Sequence, residues 1–285
     1  MMIKLALRLA GAATLTLAPF SAADSQVLGK DLAIDFRTST SMEGTPETGV
    51  LTGHIVGSGT GAKVRIDMST EGGRSPTPLA TEGPVSMIVS DSGQTITYLD
   101  AKNSQYMSVR PGEMMAEARQ MGMVNMEFSD TDAKVENLGP GPRILGHPTM
   151  HYRVGTRLTM TISGMGQKES VKIASTTEYY YPTDITSAIN PFASITGTDM
   201  IGMLGGSNKV FADKLKAAEK KLPKAPPLRT STTATIVTGG VTRVTKSNTE
   251  VTSVRWVNAD PAVFEIPAGY TEVAVPSMGE VQPDP

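Results

Sequence analysis

The sequence predicts a mainly β protein with helical insertions. We expect a curved antiparallel sheet (half-barrel) of about ten strands, with its concave face covered by helices. Two observations lead to this fold class. Apolar and polar residues alternate over most of the chain, as in strands that bury one face. Two segments instead repeat their apolar residues with a helical period, and a one-sided apolar sheet needs such a cover.

The N-terminus has the features of a targeting signal. Lys4 and Arg8 precede an apolar run from Leu9 to Phe20, which is too short to span a bilayer. Small residues follow, up to Ala23, as a signal peptidase requires. We therefore predict a cleaved secretory signal peptide over residues 1–23 and a single domain over residues 24–285.

Composition excludes several classes of protein. The chain has no cysteine, so it has no disulfides, no thiolate metal ligands and no N-terminal lipid-anchored cysteine. Its net charge of −2 gives no reason to expect nucleic acid as a partner. We expect a soluble periplasmic protein that is exported, is not a lipoprotein and does not span the membrane.

The clearest strand pattern lies in "MHYRVGTRLTMTI". Its apolar residues share one parity, and His151, Arg153 and Arg157 fall on the other. After the loop "SGMGQ", the segment "SVKIASTTEYYY" alternates in the same way, which predicts one long antiparallel hairpin. Shorter alternating runs occur upstream, and Gly239–Gly240 marks a hairpin turn near the C-terminus.

Two helical insertions are predicted, at about 111–123 and 198–222. In "PGEMMAEARQMGMVNM" the methionines at 114, 115 and 121 share a helix face, Pro111 can start the helix and Gly122 can end it. The second insertion includes the short piece "TDMIGML" and a longer helix that contains Phe211. A flexible tail is expected from about 275 to 285.

Few patterns point to chemistry. His147 and His151 are four residues apart, but in a strand this spacing is about 13 Å, which prevents a shared metal site. Arg153, Arg157 and Lys172 form a basic stripe, either an anion site or a solvated face. The 17 methionines allow three interpretations: core packing, a flexible lining for a hydrophobic ligand, or copper(I) binding at M-x-x-M. We predict no catalytic residues, no metal and no cofactor.

A family resemblance adds to these observations. The segments "DLAIDFRTSTS", "GVLTGHIVGSG", "KVRIDMST", "VSMIVSDSGQTITYLDAKNSQYMSV", "ILGHPTMHYRV" and "WVNADPAVFEIPAGY" occur in this order. This order resembles the periplasmic lipoprotein-carrier (LolA/LolB-like) superfamily, in particular a DUF4412-like branch of unknown function. The resemblance implies a half-barrel with helices over an apolar cavity. Its relatives hold acyl chains or sense misassembled envelope proteins.

The leading hypothesis is a non-enzymatic periplasmic protein that holds a lipid-like or acyl-chain ligand between the sheet and the helices. An alternative is an envelope interaction or stress-sensor domain with a solid core and a protein partner. An apolar cavity of several hundred Å³ would distinguish the two. The predicted ligand-binding residues are Ile34, Phe36, Val64, Ile66, Met114, Met115, Met121, Met150, Tyr152, Val154, Leu158, Met160, Met200, Met203 and Phe211.

Overall fold

The structure, a computed structural model, describes residues 30–45, 48–71, 84–121, 125–164, 167–185, 190–192 and 209–275. The strands in these ranges are β1 (Asp31–Met42), β2 (Thr48–Gly57), β3 (Val64–Glu71), β4 (Val85–Ser90), β5 (Thr95–Asp100), β6 (Gln105–Val109), β7 (Asn125–Ile144), β8 (His147–Gly164), β9 (Gln167–Pro182), β10 (Arg229–Thr238), β11 (Val241–Val257) and β12 (Thr271–Glu272). The helices are α1 (Pro111–Gln120) and α2 (Lys209–Glu219). The predicted signal peptide and residues 198–208 of the second insertion lie outside the described ranges, as does the tail from 276 onward.

All twelve described strands belong to one sheet, in the order β12-β6-β5-β4-β3-β2-β1-β11-β10-β9-β8-β7. Strands β1 to β6 form one up-and-down meander, and β7 to β11 form a second. β12 pairs with β6 in the parallel direction, whereas the other described pairings are antiparallel. The mainly β, sheet-based class predicted from the sequence is therefore confirmed.

The connection from β6 to β7 requires the sheet to curve. These strands are ten spacings apart in the sheet, which is about 48 Å along its surface. Between Val109 and Asn125 lies α1, whose ten residues rise only about 15 Å. Five further residues, even if fully extended, would bring the reach to roughly 33 Å. The sheet must therefore bend enough to bring its two meander edges within this reach.

The two meanders meet where β1 pairs with β11. Their register runs from Asp31 opposite Val257 to Met42 opposite Thr245. A β-bulge interrupts it, because Asp35 faces Ser253 whereas Phe36 faces Val251. Since the paired residues lie about two hundred positions apart, as do Thr38 and Thr249 with |i−j| of 211, we call this pairing the β1–β11 seam.

Strand alternation gives the sheet two distinct faces. We call the face that carries Ile34, Phe36 and Leu158 the front, and the face that carries His54 and Arg153 the back. The register carries this distinction across the seam, since Phe36 lies opposite Val251 and Thr38 lies opposite Thr249. The predicted hairpin is confirmed as β8 and β9, with Leu158 opposite Ile173 on the front.

The main apolar cluster lies on the front of the first meander and the seam. It is completed by Phe192 and Leu228, which belong to segments outside the helices, and Phe192 packs edge-on against Phe36 with ring centroids 5.6 Å apart. The predicted helical cover over the whole apolar face is not seen in the described residues. In the apolar clusters of the described residues, α2 packs on β7–β9 and α1 takes no part. The buried members of the main cluster are Leu32, Ile34, Phe36, Ile55, Val64, Ile66, Val89, Ile144, Phe192, Leu228 and Val251.

Strand β7 was not among the predicted strands, and its register explains why. Pairing with β8 breaks between Ser129 and Asp132, and at two later places. At the first break the parity changes, so that Phe128 and Ala133 both face the front although one is even and one is odd. The alternation that identifies a strand in sequence is therefore hidden.

Gly53 on β2 makes room for the main cluster. A Cβ at this position would overlap the ring of Phe36, which lies directly over the glycine. Gly49, four residues earlier on the same strand and the same face, has the carbonyl oxygen of Thr40 as its nearest neighbour, at 3.9 Å from a Cβ. The two glycines therefore differ in crowding and share their strand environment.

We expect Gly53→Ala to lower the free energy of unfolding by about 1–3 kcal/mol, because Phe36 must leave its rotamer or the strand must shift. Gly49→Ala is the matched control and should change it little. Urea unfolding of both variants measures the difference. An equal change in the two variants would contradict the overlap with Phe36.

Candidate functional site

The front of β7–β9 carries a second apolar cluster beneath α2. Leu158 and Met160 on β8 lie opposite Ile173 and Val171 on β9, and Phe128 on β7 lies opposite Met160. Leu158 is buried at 8% exposure, and Phe128, Met160 and Ile173 are partly buried around it. These strands therefore present a continuous apolar row to the helix.

Helix α2 contributes the other half of this cluster. Phe211, Leu215 and Ala218 follow the helical period and are exposed by 1%, 7% and 7%, whereas Val210 is 63% exposed. The Phe211 ring stacks on Phe128 with centroids 6.4 Å apart. The predicted second helix is thus confirmed over Lys209–Glu219, with Phe211 on its buried side.

Three tyrosines extend the front surface toward the C-terminal end of α2. Tyr181 meets Tyr152 edge-on at 5.8 Å and stacks on Tyr179 at 5.7 Å. Burial raises the pKa of Tyr179 and of Tyr181 above the ordinary tyrosine value, and the carboxylate of Glu219 raises both pKa values further. The end of α2 is therefore close to these rings.

A band of hydroxyl groups separates the two apolar clusters on the front face. Four pairs of threonine or serine side chains bridge neighbouring strands from β8 to β1: Thr156–Ser175 at 2.6 Å, Thr177–Thr232 at 3.0 Å, Thr38–Thr249 at 2.8 Å and Thr40–Ser247 at 3.3 Å. Sequence reasoning missed this band, because threonine is frequent on both parities of β10 and β11 and only the register shows which hydroxyls meet.

The predicted site residues fall into separate groups. Met150, Tyr152, Val154 and Met160 are half-buried on the front of β8, the face that carries the buried Leu158, and among these four only Met160 packs in the cluster of Phe211. Four others lie inside the main cluster at 7% exposure or less, so they contact protein side chains in this structure: Ile34, Phe36, Val64 and Ile66.

The predicted methionine lid is corrected in part. Met114 on α1 is half-buried, but Met121 follows the helix end and is 67% exposed, so it does not face inward. Met115 lies on α1, and its side chain is outside the described residues, as are Met200 and Met203. The sequence did not select Phe128 or Ala133, which the bulged strand β7 brings to the site.

The described residues contain no group of three or more histidine, aspartate or glutamate side chains that could hold a metal ion. The two buried carboxylates have structural roles. Asp31 accepts hydrogen bonds from the amides of Gly59 and Ala259, at 2.8 and 2.9 Å. Asp100 accepts from the amides of Lys102 and Asn103 in the β5–β6 turn.

No family model matches the chain, and no curated protein matches it in sequence. Among solved structures, it is similar to a DUF1329 family protein from Desulfovibrio piger ATCC 29098, with 8% identity and a TM-score of 0.20, over 83% of this chain and 90% of that chain. It is also similar to a putative outer membrane lipoprotein-sorting protein domain from Vibrio parahaemolyticus, with 7% identity and a TM-score of 0.22, over 83% and 89%.

The lipoprotein-carrier superfamily and its DUF4412-like branch stay predictions from the sequence.

Removing the Phe211 ring should detach α2 from the sheet. We expect Phe211→Ala to lower the free energy of unfolding by about 3–5 kcal/mol, the usual cost of deleting a buried aromatic ring. Val210→Ala, at the exposed neighbouring position, is the control and should cost less than about 0.5 kcal/mol. Urea unfolding measures both. Equal and small losses would show that α2 does not depend on this contact.

Stability should fall as the pH rises through the tyrosine range. The folded-state pKa values of Tyr179 and Tyr181 are raised, whereas in the unfolded chain both ionise near pH 10. Alkaline pH therefore favours the unfolded state from about pH 10 upward. A Tyr179→Phe/Tyr181→Phe variant should lose stability less steeply between about pH 9 and 11. Urea midpoints across this range test it, and equal slopes in the two proteins would contradict it.

Proposed function

We propose that the protein binds a hydrophobic, lipid-like ligand on the front face of β7–β9, beside and beneath α2, without covalent chemistry. One observation carries the proposal: the apolar front of these strands extends well beyond the helix that packs on it. Half-buried apolar side chains lie on both sides of the α2 cluster, with Met126 and Ile162 at one end and Met150 and Val154 at the other.

The lengths of the elements support this proposal. Strand β8 has 18 residues and β9 has 16, which at about 3.3 Å per residue gives strands of roughly 50–60 Å. Helix α2 has 11 residues and is about 16 Å long. A helix of this length covers only a fraction of the apolar front of β8 and β9, and an extended acyl chain would cover more of this surface.

The energetic scale is suitable for reversible binding. Each buried methylene group contributes roughly 0.8 kcal/mol, so a chain of about ten carbons gains of the order of 8 kcal/mol before the costs of association. The net affinity would then lie in the micromolar range or weaker. Methionine side chains suit such a lining, because they are unbranched and can repack around different guests.

The hydroxyl band gives the proposed ligand an orientation. In each pair one hydroxyl donates to the other, and both oxygens keep spare acceptor capacity. A ligand with an apolar chain and a polar end would place the chain against Met160 and Val154 and the polar end toward Thr177 and Thr232. Such an amphipathic ligand fits both parts of the front face.

The proposed place of action is the periplasm, which rests on the predicted signal peptide. Within the part of the chain that the structure describes, none of the helices has the length and apolar character needed to cross a membrane.

A protein-binding role is the second candidate, and the main cluster favours it. Ile34 and Ile66 are fully buried, and Phe192 packs on Phe36, so the described residues fill this half of the front face as a packed core. An envelope protein partner would then dock on the surface around this core.

Binding of a fluorescent fatty-acid probe to the mature chain tests the ligand proposal. We expect saturable binding by the wild type and at least a tenfold weaker affinity for Val154→Asp, which places a charge on the front of β8. Gly155→Asp is the matched control, because the adjacent position faces the back and a Cβ there meets nothing within 4 Å. Met150→Gln is a milder front-face variant, which tests the same surface if Val154→Asp does not fold.

Native mass spectrometry of the purified protein gives an independent readout, since a bound lipid adds a defined mass. A wild type that stays empty and does not bind the probe would overturn the proposal and favour the protein-partner role. Equal weakening in Val154→Asp and Gly155→Asp would place the binding elsewhere.

A further inference from the structure

A cleft of about 760 Å³ lies at the outer end of the second meander. Its charged lining comes from β7, β8, β9 and α2: Asp130, Asp132, Arg157, Lys172 and Lys214, with the hydroxyl of Thr159 between them. Its volume falls within the range of small-molecule sites. Aliphatic residues such as Ala174 and Val237 also line the cleft, but a ligand here must satisfy five charged side chains.

Alternation places the two cations on the back of the sheet. Arg157 and Lys172 are the chain neighbours of Leu158 and Ile173, whose side chains pack under α2 on the front. Lys172 lies opposite Thr159, and Arg157 lies opposite Ala174. The two cations are therefore diagonal neighbours, about 7–8 Å apart at their backbones, which suits long side chains that converge on one group.

The first bulge of β7 forms the opposite wall. Asp130 has a positive φ of 48°, and its carboxylate accepts a hydrogen bond of 3.0 Å from the Thr159 hydroxyl. From α2, the ammonium of Lys214 donates to the carbonyl of Thr131, at 2.5 Å. The bulge is thus held from both sides, and it keeps Asp130 and Asp132 at the rim.

The two cations of this cleft differ from Arg153, which is ion-paired on the same face of β8. Four residues earlier on β8, Arg153 donates to Glu178 at 2.8 Å and lies 3.9 Å from Glu136. Arg157 has Asp132 opposite it in the register, but among the described residues neither Arg157 nor Lys172 forms an ion pair within 4.0 Å. Opposite charges therefore face each other across a gap and do not close it.

We propose that this cleft binds a zwitterionic ligand that carries a phosphate group and a primary amine. The phosphate would lie between Arg157 and Lys172, because three acceptor oxygens can bridge two cations that a smaller anion would not span. The amine would lie at Asp130 and Asp132. A simple anion would meet the two carboxylates, and a simple cation would meet the arginine and the lysine.

Isothermal titration with O-phosphoethanolamine tests the proposal. We expect saturable binding, with a dissociation constant that rises at least about tenfold in Arg157→Gln/Lys172→Gln and in Asp132→Asn, since each variant removes charge-assisted hydrogen bonds. Arg243→Gln/Lys246→Gln removes the same charge from β11, outside the cleft, and should bind like the wild type. Inorganic phosphate, ethanolamine and β-alanine, each lacking one of the two groups, should bind at least tenfold more weakly.

The response of the variants separates the two halves of the ligand. Asp132→Asn should not weaken the binding of inorganic phosphate, whereas Arg157→Gln/Lys172→Gln should abolish it. Circular dichroism and urea unfolding confirm that the variants are folded, and Lys172→Arg, which keeps the charge, should retain binding.

Two sources could supply the ligand, and vesicles distinguish them. Cosedimentation with phosphatidylcholine vesicles that contain phosphatidylethanolamine, and not with phosphatidylcholine alone, would identify a lipid headgroup. Binding of the soluble compound without cosedimentation would identify a free phosphoamine. The proposal would be overturned if neither O-phosphoethanolamine nor the vesicles bind to the protein. It would also be overturned if β-alanine binds as tightly as O-phosphoethanolamine, or if Arg157→Gln/Lys172→Gln leaves the binding unchanged.

Discussion

The pairing of β1 with β11 is the constraint on which the rest of the sheet depends. It joins the first strand of one meander to the last long strand of the other, across 211 positions between Thr38 and Thr249. Val251 on β11 packs with Ile34 and Phe36, so the main cluster exists only once this pairing has formed. Pairings this distant in sequence must offset the entropy of closing a long loop before they gain contacts, which makes folding slow. Buried Asp31 secures the end of the seam, because it binds backbone amides from both halves of the chain.

The two faces of β8 and β9 offer different chemistry at the same place in the fold. On the front, Leu158 and Ile173 meet Phe211 and form an apolar surface under α2. On the back, their neighbours Arg157 and Lys172 line a charged cleft. Helix α2 contacts both, since Phe211 packs on the front while Lys214 reaches the bulge of β7. A movement of α2 on the front would therefore also shift the bulge of β7, which forms one wall of the cleft.

The sequence predicts local structure well where one rule acts alone. The strict alternation from Met150 to Met160 predicts β8 and its front face correctly, and the spacing of Phe211 predicts α2. Where a bulge interrupts the alternation, the prediction fails. The bulges of β7 change the parity between Phe128 and Ala133 and conceal a 20-residue strand. Long-range partners are also beyond local patterns. Nothing near Phe192 in sequence indicates that it covers Phe36, and the threonines of β10 do not reveal which hydroxyls they meet. The helical period places Met121 on the face of Met114, but α1 ends one residue before Met121.

The bulges of β7 also affect how copies of the protein meet one another. A 20-residue strand at the border of a sheet is a template on which another chain can add hydrogen bonds, and long regular borders promote aggregation. Here the register breaks at three places, and Pro140 and Pro142 remove two amide donors near the end of the strand. Only short regular stretches remain, such as the one from Asp132 to Asn137, and Lys134 and Glu136 place charges along it. The irregularity that hides β7 in the sequence thus also disfavours the addition of a strand from another copy at this border.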